Sequence, residues 1–256
     1  MSRSKTEPEL IVHKDSALNE IDRYLNSLIK SEDSTLHGKA DKISYWLEDY
    51  MHFLDYETSF DVSKYPKYKK GQIVKVHLGF NIGSEEGGLH YAIVIENNNS
   101  VRSPVLNIVP LTSVKESSDI SKIRPDLGQV YLGNELYRLI NSKISTLRIS
   151  INDEIANLKR LISELFSEES ETSKVENMNQ RIKKLEKQVE TLNKANKEIS
   201  KMKIGSIALV GQITTVSKIR IYDPKNTNGV LSQIRLSNET LDKIDDAIRQ
   251  LFTKII

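Results

Sequence analysis

The chain has 256 residues, 38% of them hydrophobic and 28% charged, with a formal net charge of +2. That length holds one or two domains with a sizeable core, and near-neutrality neither demands nor excludes nucleic acid, whose binding needs only a local basic patch. The absence of cysteine rules out disulfides and thiolate metal sites, and no apolar run approaches the ~18 residues of a membrane span.

The opening stretch, MSRSKTEPELIVHKDS, has no apolar signal-type run, so a cytoplasmic protein without a membrane partner is expected. Residues 1–66 read as a helical region. Ala17, Ile21, Tyr24, Leu25 and Leu28 recur at helix spacing, and a second helix is expected over about residues 34–54, with Ile43, Trp46, Leu47, Tyr50, Met51 and Leu54 on one face. The face of this second helix is expected to pack on the rest of the protein.

From Lys67 the period changes to two. GQIVKVHLGF alternates Val74, Val76 and Leu78 with Ile73, Lys75 and His77. HYAIVIEN, VLNIVPLTS and GQVYLG follow, joined by Gly, Asn and Ser turns, as in a small antiparallel barrel or sandwich. The lead-in SKYPKYKKG interleaves lysines with Tyr65 and Tyr68, which suits either a solvated approach to the first strand or backbone contacts with base stacking. Residues 67–132 are thus the first part of a sheet domain.

Residues 133–203 break the strand pattern. Ile144, Ile151, Leu158 and Leu165 are spaced by seven, with Ile140, Leu147 and Leu161 between them. After SEESETSK, Val175, Ile182 and Val189 recur by seven, interleaved with Met178, Leu185, Leu192 and Ile199. Two matched heptad runs around a polar turn predict an inserted antiparallel coiled-coil hairpin, each arm about 45 Å long at 1.5 Å per residue. Asn196 falls on a seam as a candidate register-setting residue. Removing the hairpin is expected to leave the sheet domain folded and to alter partner binding or oligomeric state. Strands return in IGSIALVGQITTVSKIRIYD, and SNETLDKIDDAIRQLFTKII closes the chain as a capped amphipathic helix, so residues 204–256 complete the sheet domain.

The run GQIVKVHLGFNIGSEEGGLHYAIVIENN resembles the opening of the MazF/PemK family of toxin endoribonucleases, with its Gly-Ser-Glu loop, further glycines and Val/Ile-rich strand. SPVLNIVPLTS is similar to that family's third strand, which ends in Thr-Ser, and GSIALVGQITTVSKIRI to its late strand pair. The resemblance spans roughly residues 69–132 and 204–251. It implies an α+β protein built on a small SH3-like β-barrel, here with N-terminal helices, the inserted hairpin and a C-terminal helix. It further implies a homodimer that cleaves single-stranded RNA by 2′-hydroxyl attack without metal or cofactor, paired with an antitoxin protein.

Carried over position by position, the family's arginine after the glycine loop falls on His90 and its proline on Tyr91. A histidine can donate or accept a proton near neutral pH, whereas arginine is a fixed positive donor. His90, Thr112 and Glu85 are the candidate catalytic residues. Ser84, Ser113, Gln212 and Lys75 are candidate substrate contacts, because short hydroxyls and amides can bond a phosphate oxygen without bulk. The family's late acidic residue and arginine are Gly211 and Thr214 here, and Lys75, His77, Lys218 or Arg220 are candidates to replace the lost charge. Plain alternatives are that His90 only begins a strand and that Thr112 and Ser113 cap a turn. The competing function is a non-catalytic barrel module that binds an antitoxin, a gyrase-like target or a ribonucleoprotein.

Overall fold

The computed structural model describes residues 5–114, 117–165, 172–203 and 205–254, in two compact units, Met1–Thr58 and Ser59–Ile256. In the first unit, α1 (Glu7–Ile29) begins where the Glu9 carboxylate accepts the Thr6 backbone N–H at 2.7 Å, satisfying a donor that the first turn leaves unpaired. α2 (Ser34–Glu57) is capped by Asp33, which accepts from the Thr35 N–H at 2.9 Å. The two helices pack together, with Lys39 Nζ donating to Tyr24 Oη at 2.8 Å. Within them Leu28 and Ala40 are buried, and Leu25, Ile43, Trp46 and Leu47 are partly buried.

The second unit contains β1 (Ile73–His77), β2 (Leu89–Val94), β3 (Val105–Ser113), β4 (Gln129–Gly133), α3 (Glu135–Leu165), α4 (Thr172–Lys201), β5 (Ser206–Leu209), β6 (Thr214–Ser217), β7 (Ile221–Asp223) and α5 (Asn238–Phe252). The strands form one antiparallel sheet in the order β4-β5-β3-β2-β1-β7, with β6 also on β3. The protein is α+β, but the barrel is not closed: among the described residues β4 and β7, at the two ends of the path, do not pair with each other. β7 has only three residues, and α5 packs against β4.

Alternation along the strands puts a core on each face of the sheet. Ile73, Ile93 and Val109 face α3, α4 and α5. Val74, Val76, Ala92, Val94 and Ile108 face the other way, with Tyr65 and Tyr68. Those tyrosines are therefore core residues rather than stacking platforms. Tyr68 is fully buried, and its hydroxyl donates to the Pro224 carbonyl at 2.7 Å, because a buried phenol needs an acceptor.

α3 leaves from β4 and α4 returns into β5, and these strands are neighbours, with Gly133 opposite Ser206. Falling numbers on one helix meet rising numbers on the other: Arg181 with Glu154 at 2.7 Å, Gln188 with Ser150 at 3.3 Å and Arg148 with Asn196 at 3.2 Å. The helices thus pair antiparallel, while the turn expected over SEESETSK lies mostly outside the described residues. Ile140, Ile144, Ile151 and Leu158 are buried, but Val175, Ile182 and Val189 are exposed. Ala195 is fully buried, and Asn196 beside it is partly buried and accepts from Arg148 across the helix pair.

The base of this hairpin belongs to the main core. Leu136, Ile140, Ile144 and Ala195 pack in the cluster that holds Ile73, Ile93 and Leu241. Polar ties reinforce it: Lys143 Nζ donates to the Gly229 and Ser232 carbonyls at 2.9 and 2.8 Å, and the Glu135 carboxylate accepts the Ser237 N–H at 2.6 Å just before α5. The root of the helix pair is thus part of the core.

Candidate active site

The loop from Leu78 to Gly88 is closed at its base by two backbone bonds, Leu78 N–H to the Gly88 carbonyl at 2.7 Å and Gly88 N–H to the Gly79 carbonyl at 2.6 Å. Its glycines are needed there. Gly88 has φ +84°, and a Cβ on Gly87 would lie 2.9 Å from the Gly79 oxygen. The pinned loop delivers the chain into β2 at a fixed point. The β2–β3 register pairs Ala92 with Pro110, and two residues further along the same antiparallel register come His90 and Thr112.

His90 is half-buried. Its Nδ1 lies 3.0 Å from a Glu86 carboxylate oxygen and 3.2 Å from the Leu111 carbonyl. Both neighbours are acceptors, so Nδ1 carries the proton, and Nε2 is left as the atom that can take or give one. A carboxylate that fixes the tautomer and orientation of an imidazole is the arrangement general acid–base chemistry needs. Glu86, not Glu85, is the loop acid that reaches His90.

Gln212 holds that acid in place. Its Oε1 accepts the Glu86 N–H at 2.6 Å, and its Nε2 donates to the Ser84 carbonyl at 3.2 Å. It occupies a turn, Val210–Gln212, between β5 and β6. There β3 changes partner, pairing β6 through Ile108 and β5 from Leu111 onward. Pro110, which has no amide donor, sits in that gap.

The candidate residues divide between two cavities. One, of about 180 Å³, is lined by His90, Thr112 and Ser113 together with Lys201, Lys203 and Ser206. The other, of about 640 Å³, is lined by Ser84, Glu85, Gln212, Thr214 and Arg220. Glu86 lines the second while its carboxylate holds the histidine of the first. Arg220 donates from Nε to the His77 carbonyl at 2.7 Å, and burial pushes its guanidinium down from the ordinary value.

Lys75 is in neither cavity. Its ammonium donates to both Glu198 carboxylate oxygens, at 2.9 and 2.7 Å, and Tyr91 Oη donates to the same group at 2.7 Å. This set ties the last turns of α4 to the sheet and leaves Lys75 committed to structure. Lys218, another candidate cation, is fully buried with Nζ on the Ser100 carbonyl at 3.1 Å. Burial acts to raise the Glu198 carboxyl, but its bonds from Lys75 and Tyr91 prevail and hold it below the ordinary carboxylate value.

A lowered acid contributes stability above its unfolded value and loses it as the pH falls through the folded one. Glu198→Gln is therefore expected to lower Tm at neutral pH, with the gap to wild type closing on acidification through the carboxylate range. Thermal melts across that range check this, and a constant offset at every pH would refute it.

Glu86, Lys201 and Lys203 are the residues that sequence reasoning did not single out. Glu86 had a weak signal, four residues before a candidate histidine. The lysines had none, lying at and just past a helix end more than a hundred residues from His90. Among the described residues no three His, Asp or Glu side chains gather as a metal-binding group, and no helix is long and apolar enough to cross a membrane.

No curated protein matches the chain. Residues 69–185 match the family described as PemK-like, MazF-like toxin of type II toxin-antitoxin system. That match takes in the glycine loop, His90 and the Thr-Ser end of β3, and it supports a PemK/MazF-like family member.

Proposed function

We propose that the protein is a metal-independent endoribonuclease acting on single-stranded RNA, the toxin of a toxin–antitoxin pair. The observation that carries this reading is the shared cavity of His90, Thr112 and Ser113, with His90 oriented by Glu86. Neutral Nε2 of His90 takes the proton of a ribose 2′-hydroxyl. The freed 2′-oxygen attacks the adjacent phosphorus, forming a cyclic 2′,3′-phosphate and expelling the 5′-oxygen, which takes a proton from solvent. The Thr112 and Ser113 hydroxyls donate to phosphate oxygens as charge builds on them. The larger cavity, with Gln212 and Arg220 on its wall, receives a neighbouring nucleotide.

On the same reading the sheet is an opened relative of the SH3-like barrel, the paired helices form a coiled-coil arm, and the protein works in the cytoplasm as a homodimer restrained by an antitoxin. Incubating the purified protein with a long single-stranded RNA in EDTA is expected to give discrete fragments with 5′-hydroxyl ends. Intact RNA at high protein concentration would count decisively against the proposal.

A second reading, a non-catalytic module that binds a protein partner, is favoured by Gly211 and Thr214, where the family carries an acid and an arginine. Cellular toxicity that survives His90→Ala undiminished would select it.

A further inference from the structure

We propose that the C-terminal root of the hairpin, through Lys201 and Lys203, is the phosphate-binding element of the His90 cavity and takes the backbone of a single-stranded nucleic acid. The inference rests on the RNA-cleaving reading for its substrate, but its test does not depend on cleavage.

Lys201 ends α4, and Lys203 lies between the helix and β5. Both are exposed and both line the cavity with His90, Thr112, Ser113 and Ser206. No carboxylate lines it, because Glu86 is turned onto His90 and Glu198 onto Lys75 and Tyr91. Neither ammonium makes an ion pair or hydrogen bond among the described residues, although Lys201 lies within electrostatic reach of Glu198. Two uncommitted ammonium groups, short hydroxyls and an imidazole around a small opening form a donor-rich wall suited to a phosphodiester.

The simpler explanation, a lysine complementing the negative end of a helix, covers Lys201 alone. It does not cover Lys203, which is beyond the helix and on the same cavity. The root is also held in position. Glu198, one turn before Lys201, is clamped by Lys75 and Tyr91, so the lysines are carried on a fixed support. This supplies positive charge close to His90, where the family pattern has an arginine. The insertion is then part of the site.

The test uses the full chain and a fluorescent single-stranded RNA with 2′-O-methyl riboses, which lack the attacking hydroxyl, so that anisotropy reports binding alone. K201Q/K203Q is expected to bind about tenfold more weakly at low salt. The slope of log affinity against log salt should fall by about 1.4, since each single-strand phosphate contact contributes about 0.7. K201R/K203R should restore both. K187Q/K225Q, which removes the same charge beside a separate cavity near Asn228, should change neither. Unchanged affinity and slope in K201Q/K203Q, an equal loss in K187Q/K225Q, or no RNA binding by wild type would each overturn the inference. If wild type binds through these lysines yet leaves unmodified RNA intact, the nuclease reading fails while the phosphate-binding assignment stands.

Discussion

Replacing His90 with alanine is expected to lower the rate of RNA cleavage by about 10²–10⁴-fold, the usual contribution of one positioned acid or base. The loss should fall on kcat, because the phosphate contacts from Thr112, Ser113 and the lysines remain. Glu86→Gln is expected to act in the same direction but less, since the amide keeps the shape and loses the charge that holds Nδ1. Glu86 is a positioning residue here, so its effect should vanish when His90 is absent: E86Q added to H90A should cost nothing more. Gln212→Ala should show a smaller loss of the same kind, because it releases the Glu86 backbone and the Ser84 carbonyl together. Single-turnover cleavage of one defined RNA by the four variants measures this. Additive losses for E86Q and H90A would show that Glu86 acts elsewhere, and a fully active H90A would remove the histidine from the chemistry.

The second large effect concerns the hairpin. Exchanging residues 134–202 for a short Gly/Ser linker is expected to leave no cooperatively folded sheet domain. It removes Leu136, Ile140, Ile144 and Ala195 from the main core, together with the Lys143 and Glu135 ties to the loop before α5 and the start of that helix. Truncating one large buried aliphatic costs about 2–5 kcal/mol, against roughly 5–15 kcal/mol for the whole of a typical domain. Joining Ile151 to Val189 instead, by a linker replacing residues 152–188, keeps that base along with Glu198, Lys201 and Lys203. This shorter version should unfold cooperatively and still cleave RNA. Circular dichroism melts and the cleavage assay on both shortened proteins decide the matter. A fully excised protein with a wild-type melt would mean that the arm contributes nothing to the core.

What could be read from the sequence was mostly local. Period-two alternation marked β1 and β2, heptads marked α3 and α4, and a Ser before Asn238 marked the start of α5, because those signals come from each element's own side-chain spacing and end groups. The resemblance to the family suggested His90 and Thr112 as one site, and they do line one cavity. Tertiary structure decided the rest. Two glutamates, Glu85 and Glu86, stand side by side in a polar loop, and only the fold of that loop turns one to His90 and the other to a different cavity. Lys75 and Lys218 look like free cations in the sequence, but packing commits one to Glu198 and buries the other under Ser100. Lys201 and Lys203 look like solvated helix-end charges, yet the pairing of β4 with β5 returns them to His90. Val175, Ile182 and Val189 fit an ideal seam, but the buried line on α4 runs through Ala195, because the partner helix and the core at its base choose which side is covered. Proximity between residues far apart in the chain depends on strand order and packing, and no local pattern carries that information.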